Sequence, residues 1–297
     1  MQRKATLAPH SLAKYARSAL IAVWLPVPAL PTASFRDGEH GRAQTTRMEW
    51  AKKYLTAEEI VVTVPISKKL LEDSEFDIWG ELKGPLGEAL GQTLDLAGLF
   101  GVNKPATWPT ALVLQAIARN HSVTHGTSTI DVVSDINAVM GLVETDGFEI
   151  NGFAAPKHMK AVLRDLRDKN NRPIYTPALA GGSPATLWGE NVNYSGNGGW
   201  DPSVAEMIAG DWTKAILGIR RDVELDILTE ASLYDNSGNL QFALAQEGMV
   251  ALMSTWRLGF EVANPVTRLN PTQDVTVDGV TTLSTRYPFA VLVPAGS

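Results

Sequence analysis

The segment from Glu58 to Asp77, EEIVVTVPISKKLLEDSEFD, constrains the fold more than any other part of the chain. Its first half contains β-branched residues that suit a pleated, largely buried strand, namely Ile60, Val61, Val62 and Val64. Pro65 has no backbone donor, so we expect it to end the strand. Ser74 is of a residue type favoured at a helix N-cap, and apolar residues then recur at intervals of three or four: Phe76, Trp79, Leu82, Leu86, Leu90, Leu94 and Ala97. The segment predicts a strand that turns into a long amphipathic helix, which Gly84 and Pro85 should kink or restart.

Composition restricts the class of protein. The chain has 297 residues, enough for one large domain or two ordinary ones, and its 44% hydrophobic and 20% charged residues disfavour both disorder and a membrane bundle. With 26 Lys and Arg against 32 Asp and Glu, the formal charge of -6 disfavours a protein that binds nucleic acid through a basic stripe. There is no cysteine, which excludes disulfides, thiolate nucleophiles and Cys-ligated zinc.

The beginning of the chain allows two interpretations. Basic residues up to Arg17 precede an apolar stretch, SALIAVWLPVPALPTAS, in the order of a secretory signal peptide. Pro26, Pro28 and Pro31 interrupt that stretch, and it is shorter than the roughly 20 residues that span a bilayer. We therefore prefer a leading arm over residues 1–30 that lies on other surfaces. The alternative, a secreted enzyme or solute-binding protein, predicts a monomer that begins after about residue 34.

The remaining pattern mixes strands and helices. Extended segments near 23–35 and 48–64 flank a polar, glycine-bearing stretch, which predicts a long two-stranded excursion. Apolar periodicity predicts helices over 111–119 and 130–143 and a strand over 148–153, and Pro156 is expected to open a helix that ends at Arg167. Further expectations are a strand over 187–192, strands and a turn over 215–233, a tight turn at 235–238, a strand or a helix over 246–256, and a hairpin around Asp278 and Gly279.

Motifs for catalysis or ligand binding are weak. His121 and His125 have the spacing of a helical zinc pair, but Ser122 stands where a catalytic glutamate is expected, and Gly126 and Thr127 suit a loop. The glycines of GPLGEALG and SGNGGW fit neither a Walker loop nor a dinucleotide fingerprint, so we interpret them as flexibility and close packing. The acidic residues around Ser74 are best explained by the positive end of a helix dipole: Glu72, Asp73, Glu75 and Asp77. We expect no catalytic, cofactor or metal site.

Several segments, in order, resemble the major capsid proteins of tailed phages with the Hong Kong 97 phage fold. VPISKKLLEDS resembles the strand-to-spine-helix junction of that family, and residues 75–100 resemble the spine helix itself. FEINGFAAPKHMKAVLRDLRD (148–168), GDWTKAILGIRR (210–221) and WRLGFEVANP (256–265) are similar to family segments further along the chain. From the first of these segments to the last, residues 64–265, they span about two thirds of the chain.

The resemblance implies an α+β capsid fold with five regions. They are an N-terminal arm (1–30), an extended loop (31–54), a peripheral domain with the spine helix (55–122), an axial domain (123–209) and return segments shared by both domains (210–297). Some family members join subunits through a lysine on the extended loop. This chain has no lysine between Arg17 and Lys52, so we expect no covalent chainmail. No segment before the arm resembles an attached scaffolding domain, so we expect a separate or already removed scaffold.

The implied function is that of a shell subunit. The resemblance predicts self-assembly into pentamers and hexamers that form the icosahedral head of a double-stranded DNA phage, in the virion after assembly in the host bacterial cytoplasm. Expected partners are further copies of the chain, a portal, a scaffolding protein and a decoration or cement protein. The DNA is enclosed without sequence-specific binding, and no membrane is involved. An encapsulin-type bacterial compartment shell, which shares the fold, is the nearest alternative.

Overall fold

The computed structural model describes residues 21–26, 30–35, 45–46, 50–75, 77–126, 132–166, 170, 175, 186–235, 237–277 and 280–295. Strands β1 (Ile21–Pro26) and β2 (Trp50–Leu55) form an antiparallel two-stranded sheet. Ile21 lies opposite Leu55, and Pro26 lies opposite Trp50. The predicted two-stranded excursion is therefore confirmed, while most of its tip and the predicted arm up to residue 20 lie outside the described residues.

Strand β3 (Glu58–Ser67) is longer than the sequence predicts, because it continues through Pro65. The expectation that Pro65 ends the strand is wrong. β3 lies at the edge of its sheet, where no described strand pairs with its outer side, so a proline without an N–H is tolerated there. A short helix, α1 (Lys68–Asp73), follows directly.

The long helix begins later than predicted. α2 runs over Ile78–Asp95 and passes into a π-helical turn over Leu96–Phe100, which Gly101 ends in the left-handed conformation. Ser74 is the C-cap of α1 and does not begin the long helix, so its predicted N-cap role is wrong. Asp77 occupies the N-cap position of α2. The helix continues through Pro85 without a restart.

Three helices and two strands follow. α3 (Leu112–Ala118) and α4 (Val132–Thr145) confirm two predictions, with β4 (Ser122–Thr124) between them. β5 (Gly152–Pro156) begins four residues later than the predicted strand, and α5 (Met159–Asp165) starts only after it. Pro156 is thus the last residue of a strand and does not open a helix. It closes the parallel pairing with β7, where Pro156 lies opposite Ser195.

The second half of the chain is mostly strand. Its elements are β6 (Thr186–Leu187), β7 (Glu190–Ser195), β8 (Met207–Gly210), β9 (Ala215–Leu228), β10 (Ser232–Tyr234), β11 (Leu240–Ala243), α6 (Leu244–Glu247), β12 (Met249–Val262), β13 (Val275–Val277), β14 (Val280–Thr282) and β15 (Phe289–Val293). The strand predicted over 187–192 is divided by a turn at Trp188 and Gly189, both with positive φ. Residues 246–256 belong mainly to a strand, and the hairpin around 278–279 is confirmed by the antiparallel pairing of β13 and β14.

Two larger sheets organise the described residues. A three-stranded antiparallel sheet has the order β3-β12-β9, and a six-stranded mixed sheet has the order β4-β15-β8-β5-β7-β6. Alternating side chains of β5, β8 and β15 enter two different cores, so both faces of the six-stranded sheet are buried. One core contains residues from α4 and α5, and the other joins α2, α3 and the end of β12. The second core therefore holds the two sheets together.

Candidate functional site

The β1–β2 hairpin stands apart from the larger sheets. Among the described residues its strands pair only with each other. It meets the rest of the chain at Leu55, which is buried, and at Thr56. A Cβ atom at Gly259 of β12 would lie 2.6 Å from the Thr56 carbonyl oxygen, so only glycine allows this approach. A two-stranded hairpin alone in water is marginally stable, so this one requires a further surface to pack against.

An apolar row is exposed on β9, which is an edge strand of the three-stranded sheet in the described part of the chain. Val223, Leu225 and Ile227 lie two residues apart and are 44%, 40% and 58% exposed. Leu225 is paired with Ser254 and Ile227 with Leu252, so the row continues the core-facing side of β12 beyond the core. The opposite side of β9 carries acidic side chains. An exposed apolar row on an unpaired edge strand is typical of a surface that another chain covers.

A buried polar cluster lies between α3 and the connection from β12 to β15, residues 263–288. Its first part is Arg119, which is 4% exposed and binds both carboxylate oxygens of Asp274 at 2.8 and 2.7 Å. The same guanidinium donates to the carbonyl of Ser284 at 2.8 Å. Asp274 also accepts from the Ser284 backbone N–H at 2.7 Å. The Arg119 hydrogen bonds hold the pKa of Asp274 well below its usual range, against the opposing effect of burial.

The second part of the buried polar cluster is centred on Asp146, just after α4. One carboxylate oxygen accepts from His121 Nε2 at 3.0 Å and from the Tyr287 backbone N–H at 2.8 Å. The other accepts from Asn270 Nδ2 at 2.7 Å, and Thr267 donates to the Asp146 carbonyl at 2.5 Å. Asp146 therefore links both ends of the 263–288 connection to the end of α4. Its bond to His121 links them to the start of β4 as well.

Arg286 completes the buried polar cluster. It is buried and donates to the carbonyl of Asn270 at 3.0 Å, to Asn264 Oδ1 at 3.2 Å and to the carbonyl of Thr272. Desolvation by burial lowers the pKa of this guanidinium. These bonds link the two ends of the 263–288 connection, because Asn264 and Asn270 lie near its start and Arg286 lies near its end.

His121 and His125, which have the spacing of a helical zinc pair, are separated by a strand. His121 and His125 lie on either side of β4 and not on one helical face. Each binds a different carboxylate: His121 meets Asp146, while His125 Nδ1 lies 2.5 Å from Glu206 at the start of β8. In the described part of the chain, no group of three His, Asp or Glu residues is arranged to hold a metal ion.

The glycine-rich segment SGNGGW packs on the end of α2. Asn197 Nδ2 donates to the buried carboxylate of Asp95 at 2.7 Å, and Gln92 Nε2 donates to the Gly198 carbonyl at 3.2 Å. Gly198 has a φ of +77°, and a Cβ atom at Gly199 would lie 2.9 Å from Asp95 Cβ. Close packing therefore requires these glycines, as the sequence predicted.

Most of the acidic residues around Ser74 do not have the predicted role. Glu72 and Asp73 fall at the C-terminal end of α1, where the helix dipole disfavours negative charge. Asp77 stands at the N-cap of α2 but makes no side-chain capping bond. Only Asp77 and Glu81, in the first turn of α2, occupy positions that the dipole favours.

Sequence reasoning missed the buried polar cluster. Arg119 and Asp274 are 155 positions apart, and His121 and Asp146 have no motif in common. A hydrophobic pattern marks the strands around them but carries no sign of such pairing. Among the described residues, no helix is both long and apolar enough to cross a membrane.

Comparisons with known proteins agree with this architecture. Residues 27–267 match the family model described as the phage capsid family. The major capsid protein of Staphylococcus phage 80alpha is 26% identical over 234 residues, which cover 76% of this chain and 67% of that protein. A solved structure from Microbacterium phage Oxtober96 is 35% identical, with a TM-score of 0.78, over 98% of this chain and 91% of that one.

A second solved structure, from Mycobacterium phage Adephagia, has a TM-score of 0.81 at 23% identity and covers 100% of this chain and 92% of that one. The predicted α+β capsid fold is confirmed. The compartment shell, the secreted enzyme and the solute-binding protein are not favoured. The chain belongs to the phage capsid family, and it is a major capsid protein, a component of the multimeric shell of a virion.

Proposed function

We propose that this chain forms the icosahedral head of a tailed double-stranded DNA phage from rings of five and six copies. The observation that carries the proposal is the pair of unpartnered features on one molecule. The β1–β2 hairpin has a sheet of its own, and the β9 row of Val223, Leu225 and Ile227 is exposed. Each feature requires a partner, and another copy of the chain supplies both.

The two features support a head-to-tail contact. They differ in shape and in sequence, so the contact between a hairpin and a β9 row is heterologous. Heterologous contacts generate rings when the rotation between copies closes. One solved structure of the same fold, at a TM-score of 0.63 and 17% identity, is described as the capsid of an empty GTA particle computed with C5 symmetry. Fivefold rings are therefore compatible with this fold.

Several weak contacts suffice for a stable shell. A subunit held by its hairpin and by its own β9 row cannot leave until both contacts break together, which multiplies their individual affinities. We propose the same domain assignment that the sequence predicts, with an arm (1–30), an extended loop (31–54), a peripheral domain (55–122), an axial domain (123–209) and shared return segments (210–297). The hairpin then corresponds to the extended loop with part of the arm.

The wider partners follow from the proposed role. They are a portal, a scaffolding protein and a decoration or cement protein, with assembly in the host bacterial cytoplasm. The formal charge of -6 favours a wall that encloses DNA without gripping it, because strong phosphate binding would oppose packaging and release. We also propose that the chain has no enzymatic activity and no catalytic, cofactor or metal site. A tight, salt-sensitive complex of the purified subunit with duplex DNA would contradict the enclosing role.

The shell is proposed to be noncovalent. Lys52 and Lys53 belong to β2, the returning strand, and the chain has no lysine from 18 to 51. Assembled particles that are boiled in detergent should therefore migrate as monomers on a gel. A ladder of cross-linked species would contradict this part of the proposal.

The main test uses the purified full-length chain. We expect negative-stain images of closed shells, and a chain in which a short Gly-Ser linker replaces residues 21–54, which removes both strands of the hairpin and keeps the buried Leu55, should give a folded subunit that forms no shells. The control replaces Asn239 with Ala in the β10–β11 turn, which leaves the hairpin and the β9 row intact. Shells of normal yield from the linker variant would refute the hairpin's role in assembly.

A further inference from the structure

His121 is a buried titratable group that the proposed shell contacts do not use. Its side chain is 5% exposed, and its Nε2 atom donates to Asp146. The other ring nitrogen, Nδ1, is buried, and no described residue places a donor or acceptor within hydrogen-bonding distance of it. A proton added to the ring must go to Nδ1, because Nε2 already carries the hydrogen that Asp146 accepts. Protonation would place a charge where water does not solvate it, and the new N–H would gain only the weak attraction of the nearby carbonyls of Phe289 and Thr285.

The surroundings of the ring come from three elements. Asp146 follows α4, Arg119 follows α3 in the segment that carries His121, and the 263–288 connection brings the ring of Tyr287 and the charges of Asp274 and Arg286. Glu261 of β12 lies near Tyr287. The Asp146 carboxylate and the carbonyls of Phe289 and Thr285 favour a charged ring, but desolvation by burial outweighs them, so the pKa of His121 is lowered.

We propose that the buried polar cluster is a pH-sensitive fastening, in which protonation of His121 loosens the 263–288 connection between the two sheets. Asp146 holds that connection through Thr267, Asn270 and the Tyr287 N–H, and the oxygen that accepts from Tyr287 also accepts from His121. Water can solvate a protonated ring only if the 263–288 connection moves away from it. Because the connection joins β12 to β15, its release frees the three-stranded sheet from one of its ties to the six-stranded sheet.

The direction of the pH effect follows from linkage. A histidine with a lowered pKa in the closed state binds its proton more readily in the open state, so acid favours opening. The effect begins as the pH falls below the ordinary histidine value of about 6.5 and ends at the lowered value of the closed state. Within that window the opening equilibrium rises by at most about tenfold for each pH unit, since one proton is involved.

Hydrogen–deuterium exchange on the full-length chain tests the proposal, with rates corrected for the intrinsic pH dependence of amide exchange. Between about pH 7 and pH 5, peptides of the 263–288 connection should lose protection by up to roughly tenfold per unit, while peptides of β9 should not. His121→Gln keeps an amide donor toward Asp146 and cannot titrate, so its connection should show no such pH dependence. His158→Gln, at an exposed position before α5, is the matched control and should behave like the unaltered chain.

Two results would overturn the proposal. One is a flat profile in the unaltered chain, and the other is an unchanged slope in His121→Gln. If that variant does not fold, the unaltered chain still decides, because a loss of protection that begins only near pH 4 would assign the effect to carboxylates. The measurement reads one segment of the chain, so it is independent of whether the chain forms a shell.

Discussion

Replacing Leu225 and Ile227 together with glutamine tests the β9 row most directly. The two side chains are 40% and 58% exposed in the single chain, so a neighbour that covers them buries about one whole aliphatic side chain, worth roughly 1.5–3 kcal/mol. Each 1.4 kcal/mol is a factor of about ten in affinity, so the contact should weaken by roughly tenfold to a hundredfold. The fold should tolerate the change because both positions face solvent in the subunit.

Sedimentation measured over a range of protein concentrations gives the concentration at which shells appear, and circular dichroism reports the fold. The control is Glu224→Gln and Asp226→Gln together, which alters the opposite side of the same strand. We expect the apolar variant to require a much higher concentration for assembly and the acidic control to assemble like the unaltered chain. Assembly of both variants at the original concentration, with intact folds, would show that the β9 row is not an interface.

Three further predictions concern the subunit itself. Leu94→Ala in α2 removes a fully buried side chain and should lower the free energy of unfolding by about 2–5 kcal/mol, measured by urea denaturation of the unassembled subunit. Gly259→Ala should destabilise the subunit because its Cβ would lie 2.6 Å from a backbone oxygen. Gly87→Ala, in the interior of α2 with no atom within 4 Å of the added Cβ, should instead raise stability by roughly 0.5–1 kcal/mol. A similar urea midpoint for both variants would contradict the close approach at Gly259. The lowered pKa of Asp274 means that its stabilising effect is present above about pH 4 and lost at lower pH, so Asp274→Asn should be less stable at neutral pH and show a smaller loss on acidification. An unchanged acid profile in that variant would show that the Arg119 pair does not contribute.

Several elements of the fold were predictable from the sequence alone. The apolar stripe of α2 and the periodic residues of α3 and α4 predicted helices at nearly their observed positions, because burial of one helical face follows directly from spacing. The two-stranded excursion and the 275–282 hairpin were also predictable from their turn-forming residues. Local sequence patterns were therefore sufficient to predict elements that are defined by their own apolar spacing or turn residues.

The two wrong expectations about prolines concern residues whose role depends on a distant partner. Pro65 continues a strand because β3 happens to lie at a sheet edge, and Pro156 ends a strand because β7 pairs beside it. Ser74 caps nothing at the start of α2 because a separate short helix precedes it. Neither the neighbour of a strand nor the break between two helices is encoded within a few residues.

The sequence alone determined the order of the main elements and the likeness to phage capsid proteins, because hydrophobic spacing and turn chemistry are local properties of a chain. Tertiary structure decided which strands became edges, where the apolar row on β9 remains uncovered, and how Arg119, His121, Asp146 and Asp274 meet in one buried polar cluster. Such a cluster forms only when segments more than a hundred positions apart fold together, and the cost of burying the Arg119 charge then requires the Asp274 carboxylate as its partner.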